Sequence, residues 1–217
     1  STGLPMARIA ARITIGIPLS QQEIPRRTTG HVCVKAPVFP FIKLRGLDPA
    51  PGPEMKSTGE VFGSDIRADL AYLKARLATE IPVATEGGAY LTVREEDKAA
   101  LVPIAQSLID INFTIFATPG TADVLRKANI PVTTSYRIAE RMHPDSLDLM
   151  RKGDVNFIVN VPTISGGAVR DGNMMRRLAV ELNIPFVTTM RGAVMEVAAM
   201  KARLENNLEP RRLEVHY

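Results

Sequence analysis

Apolar positions along the second half of the chain fall into short runs separated by stretches of helical period. Ala89 to Val93, Phe113 to Thr118, Val132 to Tyr136, Val155 to Val161 and Phe186 to Thr189 read as strands. Between the first two, Leu101, Ile104, Ala105 and Leu108 line one face of a helix, and Glu95, Glu96 and Asp97 precede it, where the positive end of the helix dipole favours carboxylates. Met175, Leu178, Ala179 and Leu182 repeat the pattern over 174–182. Two helices close on the same tripeptide, Asn129-Ile130-Pro131 and Asn183-Ile184-Pro185; Asn tolerates the left-handed end position and Pro forbids continuation. Strands alternating with helices predict an α/β fold, a five-stranded parallel, doubly wound sheet covered on both faces.

The first third is organised differently. Met6, Ile9, Ala10 and Ile13 predict an amphipathic helix over 2–16, with Pro5 in its first turn. From Pro18 to Gly63 prolines and glycines interrupt short apolar runs, which predicts one or two strands and an irregular connector; such a piece needs a partner in order to fold. A second helix is expected over 64–78, with Ile66, Leu70, Leu73 and Leu77 on one side. The expected organisation is a tail and connector over 1–63, a linking helix within 64–86, the α/β domain over 87–205 and a charged tail over 206–217.

Composition narrows the class. With 217 residues, 45% of them hydrophobic and 23% charged, the chain can bury a substantial core, which excludes disorder as its main state. No run approaches the roughly 18 apolar residues of a membrane span, and the start lacks the build of a signal peptide, so a cytoplasmic protein with no membrane partner is expected. The single cysteine, Cys33, forms no internal disulfide. A net charge of +4, with both signs interspersed, argues against nucleic acid and for phosphate-sized ligands. The first residue is Ser, which reads as a fragment of something longer.

In an open parallel sheet, ligands sit beyond the carboxyl ends of the strands. There, Thr118-Pro119-Gly120-Thr121 places two hydroxyls around a glycine at a helix start, where amides, hydroxyls and the dipole all favour a phosphate. A strand end and a helix cap would account for the same two threonines. Thr92 ends the first strand and Lys98 follows it, either a phosphate partner or a solvated surface lysine. Arg137 and Asn160 end the third and fourth strands; Asn160 is placed to read a base or ribose, although Asn also ends strands for local reasons. Convergence of these residues on one edge favours the functional reading. His31, His143 and His216 show no metal-ligand spacing, and no nucleophile elbow or Walker loop is present. Ser165-Gly166-Gly167 reads as a mobile loop that could act as a lid, Met142, Met174, Met175 and Met190 as core filler, and Arg176-Arg177 as helix surface.

Val34 to Pro49 (VKAPVFPFIKLRGLDP) followed by Gly52 to Gly63 (GPEMKSTGEVFG) resembles the signature that joins the second ATP-grasp half of carbamoyl phosphate synthase large subunits to their carboxyl-terminal regulatory domain. The opening helix is similar to the one after the last catalytic stretch of that ATP-grasp domain, so the resemblance implies that the chain starts just downstream of the residues binding ATP and metal. From about Leu91 on it resembles the methylglyoxal synthase-like domain. The family's phosphate contacts then fall on Lys98, Thr118 and Thr121 with Thr92 beside them, a basic residue at Arg137 where bacterial members usually have Lys, and Asn160 for the nucleoside. Pro162 departs from a second hydroxyl residue of bacterial members, and the loop after Asn160 is one residue longer. The Tyr-Asp-Thr run that holds ornithine reads Phe186-Val187-Thr188; losing the carboxylate leaves Thr188 for a second effector and argues against ornithine.

The resemblance implies an effector-binding region for UMP or IMP, itself inactive and without a cofactor. Its parent would make carbamoyl phosphate from bicarbonate, ATP and glutamine-derived ammonia for pyrimidine and arginine synthesis, using Mg and K. The implied partners are the rest of the large subunit, a glutaminase small subunit and further copies of the chain. Two alternatives remain: a methylglyoxal synthase acting on dihydroxyacetone phosphate, with Glu140 or Asp145 as its base, and a purely oligomerising domain.

Overall fold

A computed structural model describes residues 4–24, 30–41, 49–50, 55–79, 81–162, 167–206 and 208. Helix α1 (Met6–Thr14) leads to a two-stranded antiparallel hairpin, β1 (Val32–Val38) and β2 (Gly59–Asp65). Then come α2 (Ala68–Leu77), β3 (Gly88–Thr92), α3 (Lys98–Ile109), β4 (Thr114–Ala117), α4 (Pro119–Lys127), β5 (Thr133–Thr134), α5 (Ser146–Lys152), β6 (Phe157–Asn160), α6 (Gly167–Glu181), β7 (Phe186–Val187) and α7 (Met190–Glu205). The last five strands form one parallel sheet in the order β5-β4-β3-β6-β7. All five expected strands are present, trimmed at their ends.

The sheet is apolar through its thickness, as expected of a parallel sheet with two covered faces. Successive residues of β3 and β6 alternate between two cores. Ala89, Leu91, Phe157 and Val159 face α3, α4 and α7, whereas Tyr90 and Ile158 face α5 and α6. Leu101, Ile104, Ala105 and Leu108 are buried as their spacing predicted. Asn129 and Asn183 sit at φ 60° and 54°, and the next residues, Ile130 and Ile184, donate N–H bonds back to Leu125 and Ala179 carbonyls at 3.0 and 2.8 Å. Both tripeptides are therefore left-handed helix stops.

Three expectations need correction. Ser64 and Asp65 close β2, and α2 starts only at Ala68, leaving Ile66 71% exposed. Helix α2 lies between the hairpin and α7, so it buries Ala71, Leu73 and Ala75, and Leu77 stays exposed. Of the four methionines, Met175 is buried and Met190 packs against the larger core, but Met142 and Met174 are exposed. Helix α1 forms as its period predicts yet buries no residue among those described. Of the expected lid, Ser165 and Gly166 lie outside the described residues and Gly167 opens α6; part of the 46–63 connector and most of the 206–217 tail also lie outside them. None of the described helices is long and apolar enough to cross a membrane.

Two polar arrangements pin the elements around the sheet. Glu196 of α7 is 1% exposed and accepts hydrogen bonds from Arg76 Nε at 2.8 Å and Tyr72 Oη at 2.9 Å, tying α7 to α2. The segment after β5 is closed by a bridge between Tyr136 and Asp145. Asp145 caps α5 by accepting from the Leu147 and Asp148 amides at 2.8 and 3.0 Å, and Asp148 accepts from the Asp145 amide and pairs with His143.

Removing one partner of a buried ion pair leaves an uncompensated charge. Glu196→Ala is therefore expected to cost about 3–5 kcal/mol, and the double change Arg76→Met with Glu196→Leu much less, measured by urea unfolding. A cheap single and costly double variant would contradict this. The Asp148 hydrogen bond holds His143 above its ordinary 6.5, and His143 holds Asp148 below 3.8. A raised histidine stabilises fully below its ordinary value and loses that as pH rises through the folded one; a lowered carboxylate loses its contribution as pH falls through its folded value. The pair thus contributes most between 3.8 and 6.5. Relative to His143→Ala, the wild-type chain should lose stability as pH rises above 6.5 and through the raised value of His143 in thermal melts; parallel pH profiles would show that the pair contributes nothing.

Candidate functional site

Polar side chains enter the sheet where its strands end. Thr92 is the last residue of β3 and Asn160 the last of β6, and the two are register partners; Thr118 follows β4 directly. Around this carboxyl edge lies a cavity of about 340 Å³, lined by Thr92, Lys98, Thr118, Gly120, Thr121, Arg137 and Asn160 among others. All seven residues expected at the edge border this one space.

The cradle is built at the start of α4. Thr118 takes the N-cap position in extended conformation, but its hydroxyl makes no capping bond and instead donates to Thr121 Oγ1 at 3.3 Å. Pro119 has no N–H, and the amides of Gly120 and Thr121 are too early in the helix for an intrahelical acceptor. Lys98, first residue of α3, reaches over this helix start. A Cβ on Gly120 would stand 2.9 Å from Lys98 Nζ, so glycine is what permits the approach. The Lys98 side chain is 14% exposed and its ammonium pairs with Glu95, whose side chain is 82% exposed. Two amides, two hydroxyls, a helix dipole and an ammonium therefore converge on a point, a donor set suited to a phosphate monoester dianion. Arg137 is exposed and also lines the cavity, on the segment held by the Tyr136–Asp145 bridge.

Sequence reasoning missed the rest of the lining. Tyr90, Ser146, Asp171 and Met175 border the cavity on the α5 and α6 side. Tyr90 Oη and Ser135 Oγ are 2.8 Å apart, both nearly fully buried, and burial pushes the Tyr90 phenol up to about 12, so it stays protonated at neutral pH. The Asp171 carboxylate accepts from the Ala139 amide at 3.2 Å. Arg176, expected on the helix surface, is instead 2% exposed, and its guanidinium donates to Asn160 Oδ1. A signal existed: Gly172, Met175, Arg176 and Ala179 recur at helical spacing and form the buried stripe of α6.

Thr188 lies elsewhere. It borders a second cavity of about 310 Å³ beside β7, together with Phe186, Tyr72, Arg76 and Glu196. Among the described residues lining it, the one carboxylate, Glu196, is already held by Arg76 and Tyr72. His143 comes close to Asp145 and Asp148, an arrangement that histidine spacing alone did not reveal; those carboxylates are engaged in the α5 cap and the His143 pair.

With that geometry in view, the chain was compared with known proteins. The family model "MGS-like domain" matches residues 100–188. A carbamoyl phosphate synthase large chain, C-terminal section, from Methanocaldococcus jannaschii is 39% identical over 93% of this chain, and the match covers 34% of that relative. The carbamoyl phosphate synthase large chain of Archaeoglobus fulgidus is 40% identical over 93% of this chain and 19% of its own length. That of Methanocorpusculum labreanum is 35% identical over 100% of this chain and 20% of its own length. The chain thus spans between a fifth and a third of these relatives. Residues 100–188 thus match the MGS-like domain model, and nearly the whole chain is similar to part of carbamoyl phosphate synthase large chains, including one described as a C-terminal section.

Proposed function

We propose that this chain is the effector-binding region of a carbamoyl phosphate synthase large chain and that it takes a nucleoside monophosphate, UMP or IMP, in the cavity at the carboxyl edge of the sheet. The observation that carries the reading is the convergence of Lys98, Gly120, Thr118 and Thr121 on one phosphate-sized point, with Asn160 and Asp171 on the far wall of the same cavity. The cradle holds the phosphate, and the Asp171 carboxylate accepts from ribose hydroxyls. In the parent enzyme the effector would bias synthesis of carbamoyl phosphate from bicarbonate, ATP and ammonia released by a glutaminase subunit. ATP, Mg and K would act in the preceding ATP-grasp part of the large chain. The packed series of hairpin, α2, α7 and sheet offers a path between that part and the cavity.

The alternative reading as a methylglyoxal synthase requires a carboxylate base at the cradle. Glu140 and Asp145 are not among the cavity-lining residues, and both accept backbone N–H bonds, Glu140 from Arg137 and Asp145 from the α5 amides. The carboxylates that do line it are Glu95, paired with Lys98, and Asp171, which accepts from the Ala139 amide, so the methylglyoxal assay decides between the readings. An oligomerising role is compatible with effector binding and is tested by the chain's state in solution.

Calorimetric titration of the chain with UMP and IMP, beside a methylglyoxal assay, tests the proposal. Saturable nucleotide binding without turnover supports it; turnover without nucleotide binding overturns it. Lys98→Ala and Thr121→Ala are each expected to weaken nucleotide binding by about 1.5–3 kcal/mol with the fold intact. Unchanged affinity in both would remove this cavity from the reading. Glu95→Gln should do the opposite: it frees Lys98 from an exposed pair of about 0.2–1 kcal/mol, so affinity should rise by about 1.4-fold to fivefold. A fall would show that Glu95 assists the ligand.

A further inference from the structure

We infer that Arg176 is a positioning residue that locks the Asn160 carboxamide with its oxygen turned away from the cavity and its nitrogen into it, so that the site selects phosphorylated ligands bearing a hydrogen-bond acceptor remote from the phosphate. This rests on the effector-binding reading above, which supplies the phosphate cradle.

Arg176 lies on the buried stripe of α6 and donates from Nη1 to Asn160 Oδ1. A guanidinium has five N–H donors and no acceptor, so only the amide oxygen can face it; a flipped carboxamide would set donor against donor. The orientation of Asn160 is thereby fixed by chemistry. Its Nδ2 has no hydrogen-bond partner among the described residues, yet it is not sealed from solvent: the residue is 5% exposed and lines the cavity. A nearly buried N–H₂ donor thus points into the cavity.

Gly172 makes the pairing possible. A Cβ there would stand 2.9 Å from Arg176 Nη1 and 3.1 Å from Asn160 Oδ1, inside contact distance of both. Because Asn160 is the register partner of Thr92, the donor sits on the same edge as the cradle. The far wall therefore offers a fixed donor, Asn160 Nδ2, and a fixed acceptor, the Asp171 carboxylate. A ligand matching both has a carbonyl, ring nitrogen or ether oxygen for the first and a hydroxyl for the second, as a nucleoside monophosphate does. Inorganic phosphate engages the cradle alone.

The test uses the intact chain with UMP, IMP and inorganic phosphate as probes. Arg176→Met is expected to weaken both nucleotides about tenfold and leave inorganic phosphate within about twofold, whereas Arg176→Lys, which can still donate to Oδ1, restores nucleotide binding. In the unmodified chain, the Asn160 side-chain N–H₂ resonance, assigned by its loss in Asn160→Asp, should shift when nucleotide is added. Equal nucleotide affinity in Arg176→Met, parallel loss of phosphate and nucleotides, or an Asn160 resonance that nucleotide leaves in place would each overturn the inference. So would a wild-type chain that binds phosphate but neither nucleotide. Lys98→Ala separates the two levels: loss of every probe there keeps the cradle even when the Arg176 variants show nothing, and retention of every probe overturns the effector reading itself.

Discussion

A parallel sheet buried on both faces tolerates polar side chains only where its strands end, and that constraint places everything else in this molecule. All four residues of β6 are buried, and β3 is buried up to Thr92. Their backbone groups are satisfied by the ladder, so the first side chains needing other partners are Thr92, Thr118 and Asn160 at one edge. The connections to the next helices are short: one residue separates β4 from α4, and five separate β3 from α3. Helix starts and polar strand ends therefore crowd the same rim, and the cavity is the space they cannot fill. Gly120 leaves room for the Lys98 ammonium over the start of α4, since a Cβ there would displace it.

The same molecule twice places a charged residue on a buried helical stripe, for different ends. Glu196 sits among Ala193, Val197 and Met200 of α7 and is met by Arg76 and Tyr72 of α2, a closed arrangement that joins two helices. Arg176 sits among Gly172, Met175 and Ala179 of α6 and is met by Asn160, which still presents a donor to the cavity. A buried ion pair adds little net stability over apolar packing but is costly to break, so Glu196 fixes how α2 seats against α7. The Arg176 contact works on one amide: it removes an orientational freedom that Asn160 would otherwise lose only on binding.

How far the fold was legible follows from which forces are local. The Asn-Ile-Pro stops announce themselves because the left-handed residue and the proline are adjacent in sequence, and the strands because parallel strands read as apolar runs. Helix α2 was misread because period alone cannot tell one covered side from two: Ala71 and Ala75, inconspicuous in the sequence, meet the hairpin, and Leu70 and Leu77 flank the contact. The residues of the phosphate cradle were legible because strand end, glycine and hydroxyls lie within 118–121, whereas the far wall draws Tyr90, Ser146 and Asp171 from three separate elements. Arg176 was hidden by the expectation that arginine stays at the surface, although its spacing placed it inward.

The polar groups at the start of α4 are engaged in internal contacts. Lys98 is paired with Glu95, and the Thr118 hydroxyl is spent on Thr121. Under the effector-binding proposal, an entering phosphate would displace the first pair and redirect the second. Both are inexpensive to release: the Glu95 side chain is mostly in solvent, where an ion pair is worth little, and a hydroxyl rotates freely about its C–O bond. The far wall differs, because Asn160, Tyr90 and Ser146 are held by buried partners. The cavity thus combines an adaptable anion end with a rigid reading end. On the proposed reading, strength of binding would be set where the contacts are readily exchanged, and discrimination where rearrangement would leave buried polar groups unsatisfied.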